Sequence, residues 1–124
     1  MKKQLLFLVV MLLPMVTWAD PVEIDGIYYN LVSKAKQAEV TSNPNHYSGA
    51  VVIPESVTYN DVNYSVTSIG DKAFLYCLGL TSVIIPNSVT GIGSSAFSQC
   101  TGLTSVSIPN SVMIIEGFAF SRCI

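Results

Sequence analysis

The chain has 124 residues, half of them apolar and 11% charged, with a formal net charge of −2. That length gives room for one core once a targeting segment is set aside, and the composition excludes a disordered chain. Charge this sparse and mildly acidic also excludes a surface built to hold nucleic acid or an anionic membrane.

Lys2 and Lys3 precede the apolar run Leu5 to Val16, and Thr17-Trp18-Ala19 leads into Asp20. A basic start, a short apolar stretch and a small residue before polar sequence predict a signal peptide over 1–19, cleaved after Ala19. The alternative, a membrane anchor, needs about 20 apolar residues, whereas this run is shorter and is interrupted by Pro14. No membrane span is expected after cleavage. The remaining chain carries Lys34, Lys36, Lys72 and Arg122 against eight acidic residues, a net charge of −4. A secreted or cell-surface location follows, with partners outside the cytoplasm.

Residues 20–65 come next. Gly26-Ile27-Tyr28-Tyr29-Asn30-Leu31 and Ala38-Glu39-Val40-Thr41 read as two strands separated by a polar, Lys-rich turn. Ile53-Pro54-Glu55-Ser56-Val57 is a phrase that returns downstream as Ile85-Pro86-Asn87-Ser88-Val89, so it reads as a first half-coil. The β-prone stretch between Val57 and Val66, with Asn60-Asp61 at its centre, reads as a hairpin extending that coil. An open stack of repeats needs a polar terminal cap, and residues 20–65 are assigned that role.

From residue 66 the chain superimposes on itself at an offset of 23 without a gap. Val66, Val89 and Val112 coincide, as do Ile69, Ile92 and Ile115, then Phe74, Phe97 and Phe120, and finally Cys77, Cys100 and Cys123. This divides 66–124 into units 66–88 and 89–111 and a partial unit 112–124. A period of this size carrying Leu80-x-x-Val83-x-Ile85 and Leu103-x-x-Val106-x-Ile108 is the signature of leucine-rich repeats. Alternation along a strand sends Val83 and Ile85 inward and Ser82 and Ile84 outward. Pro86 and Pro109 donate no ladder bond and should end each strand. Ser94 to Cys100 suits a short helical turn that carries Phe97 and Cys100 inward. The expected fold is therefore mainly β: a short leucine-rich-repeat solenoid, one β-strand plus one short helical turn per 23-residue coil, with an N-terminal β cap. The matched Val, Ile, Phe and Cys positions should form internal ladders about 4.8 Å per step.

The phrase Val-Thr-x-Ile-Gly, Ala-Phe, Cys, Leu-Thr-Ser-Val, Ile-Pro-Asn-Ser, present at 66–88 and 89–111, closely resembles the BspA-type leucine-rich repeat. The resemblance runs from about Val51 to the end. It implies an exported protein at the surface of host-associated bacteria, adhesin-like, whose partner is a protein of the host extracellular matrix or of another cell surface. The final unit departs from its siblings, with Glu116 where Gly70 and Gly93 stand and with Met113 and Ile114 in place of small or polar residues. An uncapped last coil is expected to expose Phe118 and Phe120 and to self-associate. A structural spacer, or a truncated fragment of a longer repeat protein, is the alternative to an adhesin.

No residues are arranged for catalysis, and no cofactor or metal site is expected. His46 is the only histidine and sits in the turn-like Asn43-Pro44-Asn45-His46-Tyr47, without the Cys or His neighbours a metal needs. The serines lack a base held by a third group, and the acidic residues are scattered singly. Constant spacing of the cysteines points to buried free thiols at one repeated position, with a bond between adjacent coils as the alternative. The candidate protein-contact face is the outward side of the strand phrase: Thr81, Ser82, Ile84, Thr104, Ser105 and Ser107. Equally, it is simply a solvated sheet face.

Overall fold

The structure, a computed structural model, describes residues 20–123. The signal-peptide reading of 1–19 lies outside the described residues. Among the described residues ten strands form two sheets that face one another across a single core. The larger has seven strands, in the order β1 (Val22–Ile24), β2 (Ile27–Val32), β3 (Gln37–Thr41), β6 (Val62–Ile69), β8 (Gly91–Ile92) and β10 (Ile114–Ile115), with β5 (Ser56–Tyr59) also paired to β6. The smaller has three parallel strands, β4 (Gly49–Val52), β7 (Leu80–Ile84) and β9 (Ser105–Ser107).

Register translates the sequence period into space. Val40, Ile69, Ile92 and Ile115 lie side by side on β3, β6, β8 and β10. Val51, Val83 and Val106 do the same on β4, β7 and β9. Between the sheets the rings of Phe74, Phe97 and Phe120 stack with centroids 4.7 Å and 5.1 Å apart. Each step along the axis thus repeats one side chain over its own kind, and a single coil's apolar face is covered only by its neighbours.

The segments expected to be helical turns are not helical. They are runs of tight turns in which Lys72 and Tyr76, Ser95 and Gln99, and Phe118 and Arg122 all adopt left-handed backbone, with φ between 55° and 66°. A right-handed helix cannot continue through such a residue. Some donors that a helix would turn inward along its own axis go instead to the next coil: Lys72 N–H to Ser94 O at 2.9 Å, Phe74 N–H to Ala96 O at 2.6 Å, and Tyr76 N–H to Ser98 O at 2.9 Å. Ser95, Phe97 and Gln99 repeat the pattern one step on, to Gly117, Ala119 and Ser121. These bonds to the next coil alternate with short-range bonds within one, Ala73 N–H to Gly70 O, Leu75 N–H to Lys72 O and Cys77 N–H to Phe74 O, each 3.2 Å.

Nor do residues 20–65 form a separate polar cap. β3 pairs in parallel with β6, and β4 in parallel with β7, so residues 37–57 are themselves a coil of the stack. Tyr47 takes the ring position, 4.5 Å from Phe74 and tilted by 37°. Ala38, Val40, Ile53 and Val57 are buried with the rest of the core. Among the described residues β1 and β2 lie beyond this first coil, joined by a tight turn at Asp25-Gly26 and paired antiparallel. The β5–β6 hairpin closes through Asn60 and Asp61, both at positive φ (50° and 65°). That is the geometry of the two-residue turn whose twist matches its flanking strands, and short polar side chains tolerate it.

Candidate protein-contact face

The outer side of the three-stranded sheet is a surface that repeats from coil to coil. Strand alternation buries Val83 and Ile85 against the core and turns Ser82 and Ile84 out; Leu80, also buried, lies across the register shift at the start of the β4–β7 pairing. Two rows result, Ala50–Ser82–Ser105 and Val52–Ile84–Ser107, each crossing all three strands in register. Thr81 and Thr104 continue the surface past the strand starts: Thr104 donates to Thr81 O from its N–H at 2.9 Å and from its Oγ1 at 3.0 Å. Of the six residues singled out from the sequence, Thr81, Ile84, Thr104, Ser105 and Ser107 are exposed and Ser82 is half-buried. They sit together on this one face. Ala50 and Val52 join them, although sequence reasoning left them out. The signal was present, since aligning Val51-Val52-Ile53-Pro54 with Val83-Ile84-Ile85-Pro86 sets Val52 on Ile84.

No ionisable side chain stands in either row. The surface is small-residue and hydroxyl-rich, with one apolar patch where Val52 (63% exposed) meets Ile84 (49% exposed). It can make short hydrogen bonds and flat apolar contact; it holds no nucleophile with a base.

The ladder positions lie inside. Val66, Val89, Ile69, Ile92, Phe74 and Phe97 are buried, and Val112 and Phe120 are half-buried. Ile115 differs from its equivalents: half its surface is exposed because, among the described residues, no coil lies beyond it. Met113, Ile114 and Phe118 are exposed on the same last coil. The three cysteines are free thiols, with Cys77 and Cys100 buried and Cys123 half-buried. Each of the later two meets a carbonyl of the previous coil: Cys100 Sγ lies 2.9 Å from Phe74 O and Cys123 Sγ 2.8 Å from Phe97 O. A hydrogen bond to the neighbouring Cys77 and burial together push the Cys100 thiol well up. His46 is on an exposed turn at positive φ. Among the described residues no group of three or more His, Cys, Asp or Glu side chains is placed to hold a metal ion, and no helix is long and apolar enough to cross a membrane.

One aromatic is held by polar bonds as well as packing. Tyr47 donates its hydroxyl to Thr41 O at 2.6 Å and accepts the Tyr28 N–H at 3.0 Å. Burial pushes its pKa up to about 12. The bond to Thr41 closes the first coil on itself, and the bond from Tyr28 ties that coil to the β1–β2 hairpin.

A family model described as the BspA type leucine rich repeat region, of six copies, matches residues 51–124. Solved structures agree with it. A leucine-rich repeat protein from Bacteroides ovatus is 39% identical with a TM-score of 0.76, over 85% of this chain and 27% of that one. A leucine rich cell surface protein from Faecalibacterium prausnitzii is 33% identical with a TM-score of 0.69, over 85% of this chain and 28% of that one. A leucine-rich repeat protein from Bacteroides capillosus is 30% identical with a TM-score of 0.73, over 82% and 75%. The chain therefore spans little more than a quarter of the first two. Comparison with curated proteins gives no match. Repeat phrase, two-sheet stack and these likenesses agree, and the chain belongs to the BspA-type leucine-rich-repeat family.

Proposed function

We propose that the protein is an exported, non-enzymatic binding module, adhesin-like, which contacts a protein of the host matrix or of another cell surface through the outer face of the β4–β7–β9 sheet. The carrying observation is the pair of uncharged rows, Ala50–Ser82–Ser105 and Val52–Ile84–Ser107, held in register on a rigid scaffold. Flat repeated surfaces of this kind spread contact over several strands, and repeat proteins bind across such surfaces. Val52 and Ile84 give the face an apolar patch beside its hydroxyl-bearing residues, and apolar contact flanked by polar groups is the usual anatomy of a protein contact. The relative from F. prausnitzii is described as a cell surface protein, which supports the same location here together with the signal-like pattern of residues 1–19. Met113, Ile114 and Phe118 on the last coil support a second contact, self-association.

Export is tested by expressing the full chain in a Gram-negative host and sequencing the amino terminus of the product outside the cytoplasm. A chain beginning at Asp20 is expected. Retention of residues 1–19 in a membrane pellet contradicts it.

A further inference from the structure

The two sheets are unequal at their amino-terminal end. β3 and β4 stand at the same level, because they pair with β6 and β7 of one coil. Beyond β3 the large sheet continues by two more strands, β2 and β1. Among the described residues nothing continues beyond β4, so the small sheet stops two strand widths short. At about 4.8 Å per strand, the overhang leaves room opposite β1 and β2 on the side where the small sheet would run.

That room is a cleft of about 480 Å³. Ile24, Ile27 and Tyr29 line it from β1 and β2, Val52 and Pro54 from the end of β4 and the chain that leaves it, and Val57 from β5, with Asp25, Ser56 and Thr58 as its polar part. Gly49 and Ile53 give their N–H groups to Gly79 O and Ile84 O, at 2.9 Å and 3.0 Å. Backbone alternation in a parallel ladder then turns the N–H and C=O groups of Ala50 and Val52 to the opposite, unpaired edge. Tyr29, which lines the cleft, is 1% exposed, and its buried hydroxyl has no hydrogen-bond partner among the described residues.

We infer that the β4 edge and the cleft beside it accept one extended segment of a partner protein, added as a fourth strand to the small sheet. Its main chain bonds Ala50 and Val52, and alternate side chains enter the cleft. This is β-strand addition, in which main-chain bonds supply affinity and side-chain pockets supply choice. The apolar part of the lining, Ile24, Ile27, Val52 and Val57, asks for aliphatic or β-branched residues at every second position. A second copy stacking end-on does not fit, because both sheets would have to advance together and β1 and β2 already fill the positions on one side. The site adjoins the outer face proposed above and shares Ala50 and Val52 with it, but it uses their main-chain groups rather than the side chains of Ser82, Ser105 and Ser107, so the two proposals answer to different variants.

The test uses the full chain and a fluorescent peptide of sequence Lys-Thr-Val-Thr-Val-Thr-Val-Lys. Saturable binding is expected, with slowed amide exchange at Ala50 and Val52. Val52→Pro removes the edge donor and Ser56→Trp fills the cleft from an exposed position that lines it; each should weaken binding about tenfold or more, the equivalent of one good hydrogen bond or apolar anchor. Ser105→Arg, on the outer face, should leave it unchanged. Absence of saturation, or affinity untouched by Ser56→Trp in a variant that melts like the parent, overturns the proposal. So does protection confined to β9 or β10, which would assign the peptide to the other end of the stack.

Discussion

Gly93 and Gly117 show how differently one residue type is used at neighbouring places in the stack. A Cβ at Gly93 would lie 2.5 Å from Asp71 Oδ1 and 2.6 Å from Asp71 N, so main chain as well as side chain blocks it. At Gly117 a Cβ meets nothing within 4 Å. Gly93→Ala is therefore expected to destabilise the protein by about 1–3 kcal/mol through forced backbone movement, and Gly117→Ala to be neutral or slightly stabilising. Urea unfolding of the two variants checks this, and equal midpoints would refute it. Tyr47 offers a test by pH. Its folded-state pKa, about 12, stands above the ordinary 10.0, so folding favours the protonated hydroxyl. The Tyr47 contribution is whole below pH 10 and is lost as pH rises from 10 through about 12. Tyr47→Phe strands the Tyr28 N–H and should cost about 1–3 kcal/mol at neutral pH, with a shallower alkaline fall in stability than the parent. Thermal melts from pH 7 to 11 read both effects.

Elements differ in how far the sequence disclosed them. The exact offset of 23 made the repeat legible, because equivalent side chains must meet at every step. The turn segments were not legible as such: Ser94-Ser95-Ala96-Phe97 is compatible with a helix by composition, and only the left-handed backbone at Ser95 and Gln99, with donors spent on the next coil, excludes it. Local propensity lost to bonding between coils. The first coil was hidden for another reason. Tyr47 precedes β4 by only two residues, whereas Phe74 precedes β7 by six, so a fixed offset passes over it although the two rings are neighbours. At the contact face, alternation separated Ser82 and Ile84 from Val83 and Ile85, but Ala50 and Val52 needed the β4–β7 pairing to be seen. A stability gradient follows from the same ladders. β6 and β7 are paired on both edges and flanked by buried coils, while β10 has one partner and two exposed isoleucines. Native-state hydrogen exchange should be slowest in β6 and β7 and fastest in β10; uniform protection would mean that the coils do not open from the end.

At the scale of the whole molecule, the stack separates its tasks. Inward ladders of Val, Ile and Phe hold the coils together, and the outward rows carry no structural duty beyond their main-chain bonds. Substitutions in those rows should therefore alter recognition without altering the fold. The most direct measurement is the binding of the full chain to immobilised host extracellular-matrix proteins, compared with Ser82→Arg and Ser105→Arg variants of unchanged melting temperature. Saturable binding that either bulky charge weakens about tenfold or more is the predicted result. Binding by the parent that both variants retain undiminished would contradict the assignment of this face.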